Sequence, residues 1–401
     1  MTTSNPEAAD RHHLISAGII AALVGYTSSF AVVLTGLSAV GATPEQAASA
    51  LFALCVTQGL GMIWLTRRYR LPLMLVWSTP GAALLAGTHT VDGGWPAVVG
   101  AFLFVGVAYV LTGLWPALGQ LIASIPAPIA QAMLAGVLIE LCLAPVKALV
   151  DNPAAIIPIA LTWLIGIRLA PRWAVPAAFA IAGIVIVIDL IRRGEGLAAS
   201  SLVPALSITA PAWTWSAVVG IALPLYIVTM ASQNVPGVAI MKSFGYDVPW
   251  RGSIVTAGAA TVLGATAGGH SINLAAISAA LAAGPSAGPD PKRRWIAAQS
   301  AGWTYLVLGA CSAALAALVT VAPEGVIATV AGLALLGTLA AALEGSVAQR
   351  QGREAAVVTF LVAASGVTAL GIGSAFWAVL VGLVVHAVLD WHIRRPRTGL
   401  A

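Results

Sequence analysis

The stretch GATAGGHSINLAAISAALAAG (residues 264–284) lies between two long apolar runs, where the chain is expected to cross hydrocarbon. Its first six residues include three glycines, which destabilise a helix. The polar side chains of His270, Ser271 and Asn273 follow, and serine is a favourable N-cap residue. The pattern therefore predicts extended backbone followed by a half-length helix over residues 272–283 that begins at Ser271.

A second interrupted segment occurs earlier, LPLMLVWSTPGAALLAG (residues 71–87). Ser78 and Thr79 favour a helix start, and Pro80 suits a first turn because its missing N–H would have no partner there. The resulting helix is only about 13 Å long, under half of a hydrocarbon core of about 30 Å. Two half-helices whose N-termini meet in mid-membrane predict an anion site built from backbone N–H groups, including that of Gly81.

The composition is that of an all-α polytopic membrane protein. The chain has 401 residues, of which 59% are hydrophobic and 8% charged, with a mean hydropathy of +0.95. A soluble domain carries about 25% charged residues. Apolar runs of membrane-spanning length predict fourteen segments. The segments are residues 14–37, 45–66, 71–87, 95–115, 126–144, 153–170, 173–191, 214–240, 250–267, 269–284, 295–320, 325–345, 354–372 and 375–392.

The basic residues predict the orientation of these segments. With the N-terminal tail (residues 1–13) inside the cell, Lys147, Arg192 and Arg193 lie outside, which leaves sixteen of the nineteen Lys and Arg residues on the cytoplasmic side. This asymmetry obeys the positive-inside rule. We therefore expect both termini in the cytoplasm, no cleaved signal peptide, a location in the inner membrane, and no nucleic-acid partner despite the formal charge of +5.

The chain divides into two repeats of seven segments, over residues 14–192 and 213–392. Residues 30–44 align without gaps, though weakly, with residues 235–249. Each interrupted segment is the third of its half, and because seven is odd, the two halves have opposite orientations. Inverted repeats with matched broken segments are typical of secondary transporters and place the binding site at the breaks.

Polar side chains of the first and eighth segments are further candidates for this site. Ser28 lies in GYTSSF, and Gln233 and Asn234 lie in MASQNVPG. Serines in membrane helices often only bond to their own helix. Two adjacent amides carry several donors and acceptors that need partners, so we expect Gln233 and Asn234 to line the site.

Two titratable residues are candidates for proton coupling. Glu140 lies within the fifth segment, and an intramembrane carboxyl commonly relays protons, although it can also be a protonated structural residue. His270 precedes the predicted half-helix, and an unperturbed histidine titrates near neutral pH. The three cysteines lie in apolar segments and are expected to be buried, and the six histidines show no metal-ligand spacing. No cofactor, metal site or catalytic centre is predicted.

Four stretches together carry a resemblance to a known family. They are LPLMLVWSTPGAALLAG (71–87), PAPIAQAMLAGVLIELCLAPV (126–146), ASQNVPGVAIMKSFGY (231–246) and GGHSINLAAISAAL (268–281). The chain resembles the benzoate/proton symporter (BenE) family over about residues 14–392, and more remotely the uracil and xanthine permeases and the sulfate-type anion permeases. The resemblance implies a core domain of segments 1–4 and 8–11 that moves against a gate domain of segments 5–7 and 12–14.

The resemblance also implies a substrate and its position. Nucleobase permeases carry a Glu in segments 8 and 10, where this chain has Gln233 and the turn of Ser271, Ile272 and Asn273. A site without carboxylates suits an anion. We expect a benzoate-like carboxylate between the N–H groups of that turn and those of Ser78–Gly81. The ring is then expected to lie against Tyr26 and Phe30.

The predicted function is therefore proton-coupled uptake of a small aromatic carboxylate through the lipid bilayer. A nucleobase or inorganic-anion permease of the same fold is the alternative, and a membrane enzyme or a channel are further ones. An enzyme needs a nucleophile–base pair or metal ligands, and a channel conducts without a proton gradient. A homodimer is implied only by analogy with proteins of this fold.

Overall fold

The computed structural model describes residues 6–88, 91–115, 117, 125–194, 196, 203–350, 352–370 and 372–393. Within these ranges the chain is almost entirely helical, with two three-residue strands. The elements are α1 (Pro6–Thr27), α2 (Phe30–Ala39), α3 (Pro44–Tyr69), β1 (Leu75–Trp77), α4 (Thr79–Ala86), α5 (Gly94–Leu114), α6 (Ala127–Asp151), α7 (Pro153–Leu169), α8 (Ala174–Arg193), α9 (Trp215–Ser243), α10 (Trp250–Ala265), β2 (Ile272–Leu274), α11 (Ile277–Ala283), α12 (Trp295–Ala310), α13 (Ser312–Thr320), α14 (Val326–Val347), α15 (Arg353–Ala364) and α16 (Ser374–Ile393).

The helices identify a membrane protein. Seven helices of the described ranges are long and apolar enough to cross a bilayer, and the bent pair α12 and α13 makes an eighth candidate. Large apolar side chains point outward from them, as Ile191 (73% exposed) and Trp64 (60% exposed) do. Such a surface requires lipid as its solvent. The predicted class, a polytopic helical membrane protein, is confirmed.

Two of the predicted continuous segments are interrupted. The first is broken at Ser28 and Ser29, which separate α1 from α2. The helices α12 and α13 are bent by 51° on either side of Cys311. Cys55 and Cys142 are buried as predicted, whereas Cys311, at the break between α12 and α13, is exposed. The expectation that all three cysteines are buried is therefore wrong for Cys311.

The two strands pair with each other in the centre of the molecule. They run antiparallel, with Leu75 opposite Leu274, Val76 opposite Asn273 and Trp77 opposite Ile272. Hydrogen bonds extend the pairing at both ends, from Ser78 N–H to the Ser271 carbonyl (2.9 Å) and from Ala275 N–H to the Met74 carbonyl (2.9 Å). The extended backbone of each interrupted segment therefore finds its hydrogen-bond partners in the other.

The predicted helix start at Ser271 is wrong. Residues Ile272–Leu274 form β2, and α11 begins at Ile277 with Ala276 at its N-cap. Pairing with β1 satisfies the backbone of β2, and the Ile272 N–H also donates to the Thr261 hydroxyl at 3.0 Å. An extended segment at membrane depth is tolerated when its backbone is satisfied in this way. In segment three the helix begins at Thr79, the residue that the sequence indicated.

Close contacts at small residues hold the interrupted segments against their neighbours. A Cβ atom at Gly36 in α2 would lie 2.3 Å from the Ala82 carbonyl oxygen in α4, so the two helices pack directly at this glycine. Gly268 has φ +90°, a conformation that favours glycine, and the Trp95 ring packs against it. Small residues at such contacts let helix backbones approach closely.

Helix α9 contains two π-helical turns, Val218–Ala222 and Met230–Asn234. The second π turn contains Gln233 and Asn234. π turns are rare and frequently mark functional sites. The wider turn changes the direction in which the two amide side chains project relative to an ordinary α-helix.

We predict that Thr261→Val destabilises the protein by about 1–3 kcal/mol, because the buried Ile272 N–H loses its acceptor. Thermal unfolding in detergent measures this effect. The matched control is Thr57→Val, since the Thr57 hydroxyl only bonds the Ala53 carbonyl of its own helix. Equal losses of stability in the two variants would contradict the assigned role of Thr261.

Candidate functional site

A cavity of about 140 Å³ lies where the two interrupted segments meet. Segment three contributes Thr79 and Pro80 at the start of α4, and segment ten contributes Ala276 and Ser278 at the start of α11. Helices α1, α9 and α12 and the turn between α1 and α2 supply further walls. The opposite wall comes from Ala334 and Thr338 of α14, outside the interrupted segments.

Hydrogen-bonding groups from four elements face this cavity. The side chains of Ser28, Thr79, Gln233 and Ser278 line it, and each is half-buried. The lining residues that the structure describes include no Lys, Arg, Asp or Glu. The cavity can therefore bind a polar or anionic group through neutral donors.

The start of α11 supplies backbone donors. The first N–H groups of a helix have no partner within the helix, and α11 has no side-chain cap. Ser278, in the first turn of α11, lines the cavity, so the cavity lies beside the N-terminus of this helix. In α4 the Gly81 N–H is bound by the Ser78 hydroxyl at 2.9 Å and Pro80 has no N–H, so Thr79 is the donor on that side.

The hydrogen bonds of the two interrupted segments change which N–H groups can bind an anion. The N–H groups of Ser78–Gly81 and of Ser271–Asn273 were expected to bind the carboxylate. The Ser78 N–H instead donates to the Ser271 carbonyl, which extends the strand pairing, and the Ile272 N–H donates to the Thr261 hydroxyl of α10, so neither is free for a ligand. The candidate donors are shifted to Thr79 and to the start of α11.

Buried hydroxyl groups tie the ends of the two strands together behind the cavity. Thr229 of α9 lies between Ser78 (2.7 Å) and Ser271 (3.2 Å), with all three side chains fully buried. Ser78 and Ser271 do not line the cavity. Their bonds fix the position at which α4 begins.

The two adjacent amides of α9 have different surroundings. Gln233 faces the cavity. Asn234 is fully buried, and its Oδ1 accepts the Leu274 N–H at 2.9 Å. Asn273, also predicted to contact substrate, lies in β2, where its Nδ2 donates to the Leu274 carbonyl at 2.8 Å and its buried Oδ1 has no partner within the described chain.

Aromatic rings form one side of the cavity. Trp77 and Tyr305 line it and meet edge to face with their centroids 5.9 Å apart. The Trp77 Nε1–H donates to the Ser29 hydroxyl at 2.9 Å, which orients the indole. Tyr26 packs behind Trp77, and Phe30 stacks on Tyr26 at 5.6 Å. Tyr26 and Phe30 are thus a second layer that supports the rings in the wall.

The two candidate proton carriers lie away from the cavity. His270 is fully buried, with Nε2 3.2 Å from the Ser78 carbonyl and its ring edge to face with Phe102. Its Nδ1 has no partner within the described residues. Glu140 is an exposed residue of α6 that borders a crevice with Thr88, which follows α4.

Sequence reasoning missed most of the lining residues, among them Trp77, Tyr305, Ser278 and Thr338. Trp77 and Ser278 lie within the stretches that were recognised as interrupted segments. An aromatic residue next to the Ser78 helix start was a signal for Trp77. Tyr305 and Thr338 belong to uninterrupted helices, where no local pattern distinguishes them from packing residues.

We predict that Gln233→Ala and Asn234→Ala have separable effects. Asn234→Ala removes the acceptor of a buried backbone N–H and should cost about 1–3 kcal/mol of stability. Gln233→Ala should change stability by less than about 0.5 kcal/mol yet weaken ligand binding. Thermal unfolding and ligand titration of both variants measure this. Equal destabilisation by the two substitutions would refute the division of roles.

Comparison with known proteins places the chain in a family. The family model for BenE, described as benzoate membrane transport protein, matches residues 9–388. The inner membrane protein YdcO of Escherichia coli (strain K12) is 38% identical over 383 residues, covering 95% of this chain and 97% of that protein. The benzoate membrane transport protein of Acinetobacter baylyi is 30% identical over 377 residues, covering 93% and 94%.

Solved structures share the fold at low sequence identity. The transmembrane domain of the cyanobacterial bicarbonate transporter BicA has a TM-score of 0.56 and 16% identity, covering 94% of this chain and 97% of that one. SLC26A9 has a TM-score of 0.62 and 13% identity, covering 96% of this chain and 66% of that one. The family model matches nearly the whole chain, and the two relatives are 38% and 30% identical to it. The chain therefore belongs to the BenE family of membrane transport proteins.

Proposed function

We propose that the protein takes up benzoate or a related aromatic carboxylate together with protons, through the cavity between the interrupted segments. The observation that carries the proposal is a cavity that combines an aromatic wall with neutral hydrogen-bond donors. The curated relative from Acinetobacter baylyi is named a benzoate transport protein, which agrees with this substrate class.

The size of the cavity supports a single aromatic ring as the ligand. An engineered cavity of about 150 Å³ binds benzene, and this cavity has about 140 Å³. The edges and faces of Trp77 and Tyr305 can pack against such a ring. A fused bicyclic ligand would require the walls to move apart.

The donors support a carboxylate as the polar group. Hydrogen bonds to a charged group are stronger than those between neutral groups. Gln233, Thr79 and the first N–H groups of α11 can donate from two sides, and the partial positive charge at the start of a helix adds to the attraction. A neutral donor set also releases the anion more readily than an arginine would.

The cavity wall is divided between the two proposed domains, and this division supports alternating access. Three sides belong to the proposed core domain and one to α14 of the proposed gate domain. The proposed arrangement has fourteen segments in two inverted repeats, with both termini in the cytoplasm. In this arrangement, movement of the core domain against the gate domain would expose the site to either side of the membrane. The Phe30–Phe179 edge-to-face contact, with centroids 4.6 Å apart, crosses the same boundary. A homodimer through the gate domain is a further part of the proposal.

The energetics of anion uptake support the proposed proton coupling. Moving one negative charge inward against a negative-inside potential costs about 2.3 kcal/mol per 100 mV, and a proton carried with the anion cancels this cost. Glu140 and His270 are the proposed carriers. Glu140 borders the crevice between α6 and the end of α4, where movement of the core would change its surroundings.

We predict that proteoliposomes accumulate labelled benzoate when the outside is acidic, and that uracil and sulfate do not compete. Gln233→Ala should weaken benzoate binding by about tenfold or more, since it removes a hydrogen bond to a charged group. Ala334→Phe should block binding by filling the cavity. The matched control is Gln349→Ala, at an exposed position away from the cavity.

Transport of uracil or sulfate in place of benzoate would refute the proposed substrate. Normal benzoate binding by both the Gln233 and Ala334 variants would refute the site while leaving the substrate class intact.

We predict that Glu140→Gln abolishes accumulation driven by a pH gradient but leaves benzoate counterflow within about twofold of the wild type. Counterflow needs no net proton movement, so it separates coupling from binding. Glu324→Gln, which neutralises another exposed carboxyl on the gate side, is the control. If Glu140→Gln still accumulates benzoate and His270→Gln does not, His270 is the carrier. Full accumulation by both variants would exclude both residues.

A further inference from the structure

A second, larger concavity lies on the membrane-facing surface between α1 and α12. It is an open groove of about 530 Å³ that shares no lining residue with the central cavity. Its walls include Arg11, Ile15 and Ile19 of α1 and Ile296, Trp303 and Val307 of α12. Trp303 is 50% exposed and Val307 68% exposed. The groove therefore lies in the part of the protein surface that faces lipid.

The dimensions of the groove match one acyl chain. The two helices run side by side, as shown by the Ser300 hydroxyl, which donates to the Ile15 carbonyl at 3.0 Å. From Ile296 to Val307 the α12 wall is about 16 Å long at 1.5 Å per residue. Half of a hydrocarbon core of about 30 Å is close to this length. The groove thus extends from the membrane surface to about the middle of the bilayer.

Positive charge lies at one end and along one side of the groove. Arg11 forms the end nearest the N-terminus. The Arg67 guanidinium of the neighbouring helix α3 lies 5.9 Å from the centroid of the Trp303 ring. Within the described residues, the ion pair formed is Arg193–Asp189, so neither Arg11, which lines the groove, nor Arg67, which lies beside Trp303 outside the groove lining, is paired with an acidic side chain there. A bound phosphate would provide that partner.

We propose that this groove binds an anionic glycerophospholipid from the leaflet on the N-terminal side, which is the cytoplasmic leaflet in the predicted orientation. The phosphate lies at Arg11 and Arg67, and one acyl chain lies along the isoleucines and Trp303. Basic pockets between membrane helices on the cytoplasmic side recognise anionic headgroups in this manner. A zwitterionic lipid has the same tails but no net charge, so the arginines confer the preference. The proposal does not depend on which substrate the protein transports.

The test uses the full-length protein, delipidated in detergent and titrated with phosphatidylglycerol or phosphatidylcholine of identical acyl chains. Native mass spectrometry counts the lipids retained. We expect the wild type to retain phosphatidylglycerol with about thirtyfold higher affinity, because each of the two arginines contributes about fivefold. The double variant Arg11→Gln/Arg67→Gln should lose this preference. Arg172→Gln, which removes an exposed arginine far along the chain from the groove, should keep it.

A second variant tests the acyl-chain half of the site without altering charge. Ile19→Trp fills the deep part of the groove and should reduce retention of both lipids at this site. Brominated acyl chains provide an independent readout, because bromine quenches nearby tryptophan fluorescence. The protein has thirteen tryptophans. The part of the quenching that is lost in Trp303→Phe is therefore the part that comes from Trp303.

Equal affinity for the two lipids in the wild type would overturn the proposal. An unchanged phosphatidylglycerol preference in the folded double variant would overturn it as well. Binding of glycerol phosphate with the same affinity as the lipid would show an anion site without an acyl-chain groove, and would also contradict it.

Discussion

The structure depends on how backbone hydrogen bonds are satisfied where the chain crosses hydrocarbon without forming a helix. An unpaired N–H or carbonyl in lipid costs several kcal/mol. Here the two extended segments solve the problem jointly, since β1 and β2 pair with each other and bring segments three and ten into one unit. The starts of α4 and α11 then lie on either side of a common cavity. The position of the site is thus a consequence of backbone pairing.

Side chains from α9 and α10 complete this unit and separate its two tasks. Asn234 and Thr261 accept backbone N–H groups of β2, and Thr229 joins Ser78 to Ser271. None of these three residues lines the cavity. Gln233, which does, is only half-buried. The polar groups of the centre therefore divide into a buried brace and an accessible lining, which allows the lining to change without loss of the fold.

The sequence allowed the class and the two non-helical stretches of backbone to be predicted, but not how these stretches pair. Composition and glycine, serine and proline positions identified a helical membrane protein and both interrupted segments. Local rules favoured Ser271 as a helix cap, yet β2 forms there because its partner lies almost two hundred residues away in the chain. The same long-range pairing binds the Ser78 N–H, and side-chain hydroxyl groups accept the N–H groups of Gly81 and Ile272, all of which had been assigned to the carboxylate. Tyr305 and Thr338 reach the cavity through helix packing, which local patterns do not encode.

The π turn Met230–Asn234 contains about one residue more than an α-helical turn, and this extra residue sets the directions of the side chains in this part of α9. Gln233 and Asn234 are neighbours in sequence, so about a quarter of a turn separates the residue that faces the cavity from the one that braces β2. Deleting one residue from Met230–Asn234 would close the π turn to an α-helical turn and change the directions in which these two amides project toward the cavity and β2. The spacing of this turn is as much a determinant of the site as the identity of its side chains.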